Sequence, residues 1–217
     1  MKVHLFRSAF AAALITLCLA GTSRAAENGQ SIVLPKDGDT FSQLVARAQA
    51  GDASVDFAAL RLAWIESAER KRALRTDLKP FKADIRAGVE QNDPAAVAAA
   101  ARRLLSVNYI DLDGHKYLRQ ACELLKDQAC AERHHFVEFG LLNSITHSGD
   151  GKTCATGWQA VSIDEEYFVL RMAGFQRDRQ ALIKGPPICD LLEATDKDGN
   201  HRSFYFKIDS FILHELD

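Results

Sequence analysis

The chain has no CxxC pair, no complete phosphate-binding loop, no block of basic residues and no late apolar run of membrane length. Each absence removes a class of function. Without closely spaced cysteine pairs, a zinc module has nothing at ligand spacing. Gly151-Lys152-Thr153 looks like the end of a P-loop, but Thr146 stands where that motif needs its first glycine. The segment also follows a helical pattern rather than a strand, which excludes triphosphate binding of that kind. Lys and Arg number 27 against 29 Asp and Glu, for a net charge of −2, with no basic stripe. That balance argues against a nucleic-acid partner. Asp111-Leu112-Asp113-Gly114-His115 has the look of a calcium loop but lacks the further oxygen ligands and the closing Glu. No 34-residue self-similarity marks a repeat array. No cofactor is expected.

What is present begins at the N-terminus. Lys2 and Arg7 give a positive start, and Phe10 to Ala20 is then apolar or small. That run is shorter than the about 20 apolar residues a membrane span needs. Ser23-Arg24-Ala25 places small residues at −3 and −1 before Ala26, the pattern a signal peptidase cuts. Residues 1–25 are therefore expected to be a cleavable signal peptide. Cys18 follows Leu17 rather than a small residue, so no lipid attachment is expected there. Cleavage removes Lys2, Arg7 and Arg24 and no acid, which moves the net charge from −2 to −5. The expected address is the periplasm, or secretion beyond the cell, as a soluble chain with no later membrane span.

Four cysteines remain after cleavage: Cys122, Cys130, Cys154 and Cys189. An even count in an exported chain favours two disulfides. Three pairings exist, and Cys122–Cys130 with Cys154–Cys189 is preferred. The first would close a short loop across a helix-turn-helix.

Residues 26–39 are polar and aperiodic and read as an extended or disordered lead-in. From 40 to 145 the pattern is helical. Helices are expected over Phe41–Ala50 with Thr40 as cap, and after Asp56 through Phe57, Leu60, Trp64 and Ile65. Others are expected from Pro80, from Asp93-Pro94, over His115–Leu125 capped by Asp113, and over Ala129–Ile145. Successive helical hairpins suggest a bundle or a tetratricopeptide-like stack. From 146 to 217 the texture is mixed. Strands are expected over Thr156–Ile163, Phe175–Ile183, Cys189–Thr195 and Arg202–Ile208, the last two joined at Asp198-Gly199. A helix capped by Asp164 runs from Glu165 to Ala173. The expectation is one α+β domain over 40–217, helices first and a small antiparallel sheet with one helix last.

The candidate chemistry lies at segment junctions. His135, Phe139, Leu142 and Ile145 share one stripe, which turns His135 to the core. His134 and Glu138 are i, i+4 neighbours on another stripe. A carboxylate there can orient an imidazole, and with His115 the three form a candidate metal set. The Ser148–Thr153 loop carries Asp150 and Lys152 and could offer backbone N–H groups to an anion. Glu165 and Glu166 are adjacent carboxylates that can raise one another's pKa.

These residues resemble a bacterial family known as domain of unknown function 4919. The resemblance rests on Tyr109-Ile110-Asp111 with His115, on His134-His135, and on Gly140 to Ile145 running into Ser148 to Thr153. Glu165-Glu166-Tyr167 and Tyr205 to Asp209 complete it, with Lys207 where the family usually has Asn. Gly51-Asp52, Val55-Asp56-Phe57 and Leu60-Arg61 are similar to the family's helical beginning. The cysteines are not part of the pattern. The resemblance implies an exported or uncharacterised bacterial protein and no particular activity.

Two readings of function follow. The first is a periplasmic binding or interaction module for a protein or small-molecule ligand. Its site would converge from His115, His134, Ser148, Asp150, Lys152, Glu165, Glu166 and Tyr167. The second is a hydrolase or transferase with His134 as base, Glu165 or Glu166 as acid and Ser148 as nucleophile or substrate ligand. A metal-binding protein using His115, His134 and Glu138 is a further alternative.

Overall fold

The computed structural model describes residues 40–212. The expected signal peptide and lead-in lie outside the described residues. Among the described residues the order is seven helices, a short strand, a helix, three strands and a last helical turn. The fold is α+β.

The helices are α1 (Thr40–Gln49), α2 (Phe57–Glu66), α3 (Ala68–Ala73), α4 (Lys79–Glu90), α5 (Pro94–Val107), α6 (Leu112–Leu124) and α7 (Gln128–Thr146). Their starts follow local chemistry. Asp56, Asp93 and Asp127 each accept a hydrogen bond from the backbone N–H three residues on. That satisfies donors the first helical turn cannot use. Pro94 opens α5, where its missing N–H costs nothing. Two caps differ from expectation. Asp111, not Asp113, caps α6, because its side chain accepts from Gly114 N. Ser162, not Asp164, caps the later helix α8 (Ile163–Met172), accepting from Glu165 N. In both cases the acid lies inside the first turn, where the helix dipole also favours it. The short α3 was not expected; Ser67 ends α2 and caps α3 at once.

From α4 to α7 each helix packs on the next, and α2 returns against α7. Close approach is bought with glycine. A Cβ on Gly140 would sit 2.2 Å from the Phe57 ring, where α7 crosses α2. The buried positions of α7 are Cys130, Ala131, His134, Val137, Glu138, Leu141 and Ile145. This corrects the expected phase of the helix. His134 faces inward and His135 is exposed, its ring tilted against Phe139 with centroids 4.4 Å apart. The stripe is set by Ala131, Val137 and Leu141, which the longer aromatic pattern had obscured.

The sheet contains β1 (Trp158–Gln159), β2 (Phe175–Ile183), β3 (Cys189–Asp196) and β4 (His201–Lys207), in the order β1-β4-β3-β2. β2, β3 and β4 are antiparallel, but β1 runs parallel to β4. The sheet is thus mixed rather than wholly antiparallel. The reason is the loop before β1, which is tied across β4: Gly151 O accepts from Tyr205 N, and Gly157 lies against Tyr205 O. Phe204, Phe206 and Ile208 are buried, as their alternation requires. A last turn, α9 (Asp209–Ile212), inserts Phe211. Helices and sheet share one apolar cluster that runs from Phe41 to Phe211.

Both preferred cysteine pairs are joined. Cys122–Cys130 links the end of α6 to the start of α7, and Cys154–Cys189 links the pre-β1 loop to β3. The Cα atoms stand 5.8 Å apart in each. No helix among the described residues is long and apolar enough to cross a membrane.

Candidate functional site

The first cluster is built around Arg61, which sequence reasoning gave no role. Arg61 Nε and Nη2 donate to the two Glu165 carboxylate oxygens at 2.8 and 2.6 Å. Nη2 also donates to Gln159 O, and Nη1 to Ser144 Oγ. Val161 N donates to Glu165 Oε2. Arg61 and Glu165 are 2% and 3% exposed, so water contributes little to either charge. A forked guanidinium is the side chain best able to hold a buried carboxylate at two points. Glu165 is therefore a clamp between α2, α7, β1 and α8. The signal in the sequence was an arginine on the apolar face of α2, among Phe57, Leu60 and Trp64.

The second cluster is the histidine pair. His115 Nδ1 and His134 Nδ1 stand 2.9 Å apart, and His115 Nε2 meets Tyr109 O at 2.7 Å. A carbonyl only accepts, so His115 carries its proton on Nε2 and accepts at Nδ1. His134 must then donate from Nδ1. Burial lowers His115 to about 4, and burial followed by the His115 charge lowers His134 to about 2. Both rings are neutral near pH 7. Glu138, one turn on, accepts from Arg119 Nε at 2.7 Å. Among the described residues, the three-residue set with ligand atoms within 4.8 Å of one another is Cys122, Asp127 and Cys130, whose sulfurs are already bonded to each other. His115, His134 and Glu138 do not meet as a ligand set.

Ser148, Asp150 and Lys152 lie in the loop after α7. Ser148 Oγ donates to Ile145 O and accepts from Gln159 N. Asp150 is exposed; Thr156 Oγ1 and Lys152 N donate to it and lower its pKa. Asp150 N and Gly151 N both point to Thr156 O. Within the loop, the N–H groups of Asp150, Gly151, Lys152 and Thr156 are taken up by the loop's own acceptors.

Glu166 and Tyr167 face the sheet. Glu166 is fully buried, and among the described residues no donor hydrogen-bonds either carboxyl oxygen. Burial, then the Asp190 and Glu165 charges, push it up to about 9. Glu166 therefore keeps its proton near neutrality beside Asp190, itself raised by burial. Gln180 Nε2 donates to Asp190, Tyr167 Oη donates to Gln180 Oε1, and Arg177 donates to Tyr167 Oη.

The expected residues thus fall into separate places. Ser148, Glu165 and Ser144 gather near Arg61. His134 lies ten residues before Ser144, about 15 Å along α7 at 1.5 Å per residue. Asp150 is exposed and bonded within its own loop. His134 and Glu165 are not brought together.

A concavity does open at the start of α8. A cleft of about 260 Å³ is lined by Trp64, Leu74, Leu78, Ile163 and Phe211, with Arg70, Asn108, Ser162 and Asp164 among them. A smaller chamber of about 10 Å³ shares Asn108, Ser162 and Asp164 and adds Asp111, Asp113 and Glu165. Burial pushes Asp111 up to about 6, against the pull of Lys82. A larger groove of about 500 Å³ lies between the α4–α5 turn and the end of α6.

This is an α+β protein with two disulfides and a buried Arg61–Glu165 ion pair. The chain belongs to the family described as a domain of unknown function (DUF4919), which it matches over residues 71–216. No curated protein and no solved structure matched it in comparison.

Proposed function

We propose that this protein is an exported binding module, acting in the periplasm or beyond it, whose ligand seat is the cleft at the N-terminal end of α8. The observation that carries this reading is the composition of the cleft. Trp64, Leu74, Leu78, Ile163 and Phe211 form an apolar wall around a few convergent polar groups. Small-molecule sites have this make-up, with apolar lining for affinity and few polar groups for orientation. Leu74 and Ile163 remain 64% and 46% exposed at its rim, where a ligand would cover them. The two disulfides and the residue order of segment 1–25 support an oxidising destination.

The test has two arms. Mature protein recovered from the periplasm should begin at Ala26 by mass spectrometry. N-Phenyl-1-naphthylamine, an uncharged apolar fluorophore, should brighten in the wild-type cleft and lose that signal in Ile163→Glu. Because Ile163 is partly exposed, that variant keeps its fold by circular dichroism. Equal emission from both proteins would remove the cleft from consideration.

A further inference from the structure

The chamber behind the cleft selects for charge. Asn108 and Asp111 line it, their Oδ1 and Oδ2 atoms are buried, and among the described residues no donor hydrogen-bonds either atom. Asp111 is only 5% exposed. Its other oxygen caps α6 through Gly114 N at 2.8 Å, which fixes the side chain in place. The nearest cation is Lys82, whose Nζ stands 3.6 Å from Asp111 Oδ2 but 2.8 Å from Asp164. Lys82 therefore hydrogen-bonds Asp164 and pairs with Asp111 only through a longer ionic contact. Asp113 is neutralised by Arg171 at 2.6 Å. Glu165 is likewise paired with Arg61, so of the four acids lining the chamber Asp111 and Asp164 share the single charge of Lys82, with Arg70 on the wall of the adjoining cleft.

We infer that the ligand is a small molecule with an apolar body and a primary ammonium head, the head entering the chamber between Asn108 Oδ1 and Asp111 Oδ2. This rests on the cleft being the ligand seat. A buried acceptor without a donor is costly, and a donor that also carries positive charge offsets both deficits. The size agrees: a chamber of about 10 Å³ holds one water-sized group, which an ammonium head is. The geometry of the opening agrees as well. Asn108, Ser162 and Asp164 line both spaces, so a head in the chamber leaves its body against Trp64 and Phe211. An aromatic wall suits an aryl or alkyl body. A carboxylate head would face Asp111 and Asp164 and be repelled.

The experiment compares three probes of one shape by calorimetry on the mature chain at neutral pH: 2-phenylethylammonium, 2-phenylethanol and phenylacetate. The ammonium should bind at least about tenfold more tightly than the alcohol, and phenylacetate should not bind. Asp111→Asn keeps a capping side chain for α6 while removing the charge, and it should abolish the preference for the amine over the alcohol. Asn108→Ala provides the check if Asp111→Asn unfolds, and should weaken the amine more than the alcohol. If the alcohol or the acid binds as well as the amine, the ammonium assignment is wrong while the cleft stands. If neither the naphthylamine fluorophore nor any of the three probes binds, the cleft reading falls with it.

Discussion

Single side chains in this protein are held in charge states far from those they have in water. Glu166 is the clearest case. In the unfolded chain its carboxyl ionises near 4.5, and in the folded protein only near 9. Between those values the folded state holds a proton that the unfolded state has lost. Stability from this residue therefore falls as pH rises through the window. Glu166→Gln keeps the shape and removes the titration. Urea unfolding should show the variant more stable than wild type at pH 8, on the order of a few kcal/mol, with the two converging near pH 5. A wild type that is as stable at pH 8 as at pH 5 would contradict it. The histidine pair acts in the opposite direction. His115 and His134 are lowered below their ordinary 6.5, so the unfolded chain takes up protons first as the pH falls below that value. The pair therefore costs stability on the acid side, partly offset by Asp111, which is raised.

Among the elements, α8 is the one whose placement most depends on polar contacts. Its first turn is fastened by the Arg61–Glu165 fork, by Ser162, and by Lys82 on Asp164. Removing one partner of a buried pair strands the other. Arg61→Met should lower the unfolding free energy by about 3–5 kcal/mol. The double variant Arg61→Met/Glu165→Leu should recover most of that loss, because no charge is left buried. Chemical denaturation of the two single variants and the double closes the cycle. A double variant as unstable as Arg61→Met alone would show that the pair contributes more than mutual neutralisation. The loop 147–157 is the other element that matters, since its bonds to β4 make β1 parallel.

At the level of the whole molecule, the disulfides tie different spans. Cys122–Cys130 closes a separation of 8 residues and Cys154–Cys189 one of 35. Loop entropy makes the longer closure worth more, about 4 kcal/mol against about 2.5 kcal/mol. Paired Cys→Ser replacements should rank in that order in urea unfolding, and the reverse ranking would defeat the entropic account. The cleft is also a property of the whole chain. Its walls come from α2, α3, the α5–α6 turn, α8 and α9, which no single segment of sequence contains.

Much of this was legible beforehand, for a physical reason. Helical and strand periods, capping residues, turn glycines and cysteine parity are local, so α2, α5, β2 and the presence of two disulfides could be read from spacing, while the pairing stood as one preference among three. Glu165-Glu166-Tyr167 also stood out as chemistry. Their division of labour did not, because it depends on partners far away in the chain. Arg61 lies 104 residues from Glu165, and it turns one carboxylate into a clamp. Burial, with Asp190 of β3 beside it, leaves the next residue, Glu166, protonated. The phase of α7, which buries His134 and exposes His135, was decided by what the neighbouring helices offered to pack against. The sequence by itself determined most of the elements, the α+β class and an even set of cysteines for two disulfides. Only the tertiary structure decided which polar residues are clamps, which are turns and where a cleft remains, because burial and charge pairing are set by long-range contacts that no local pattern encodes.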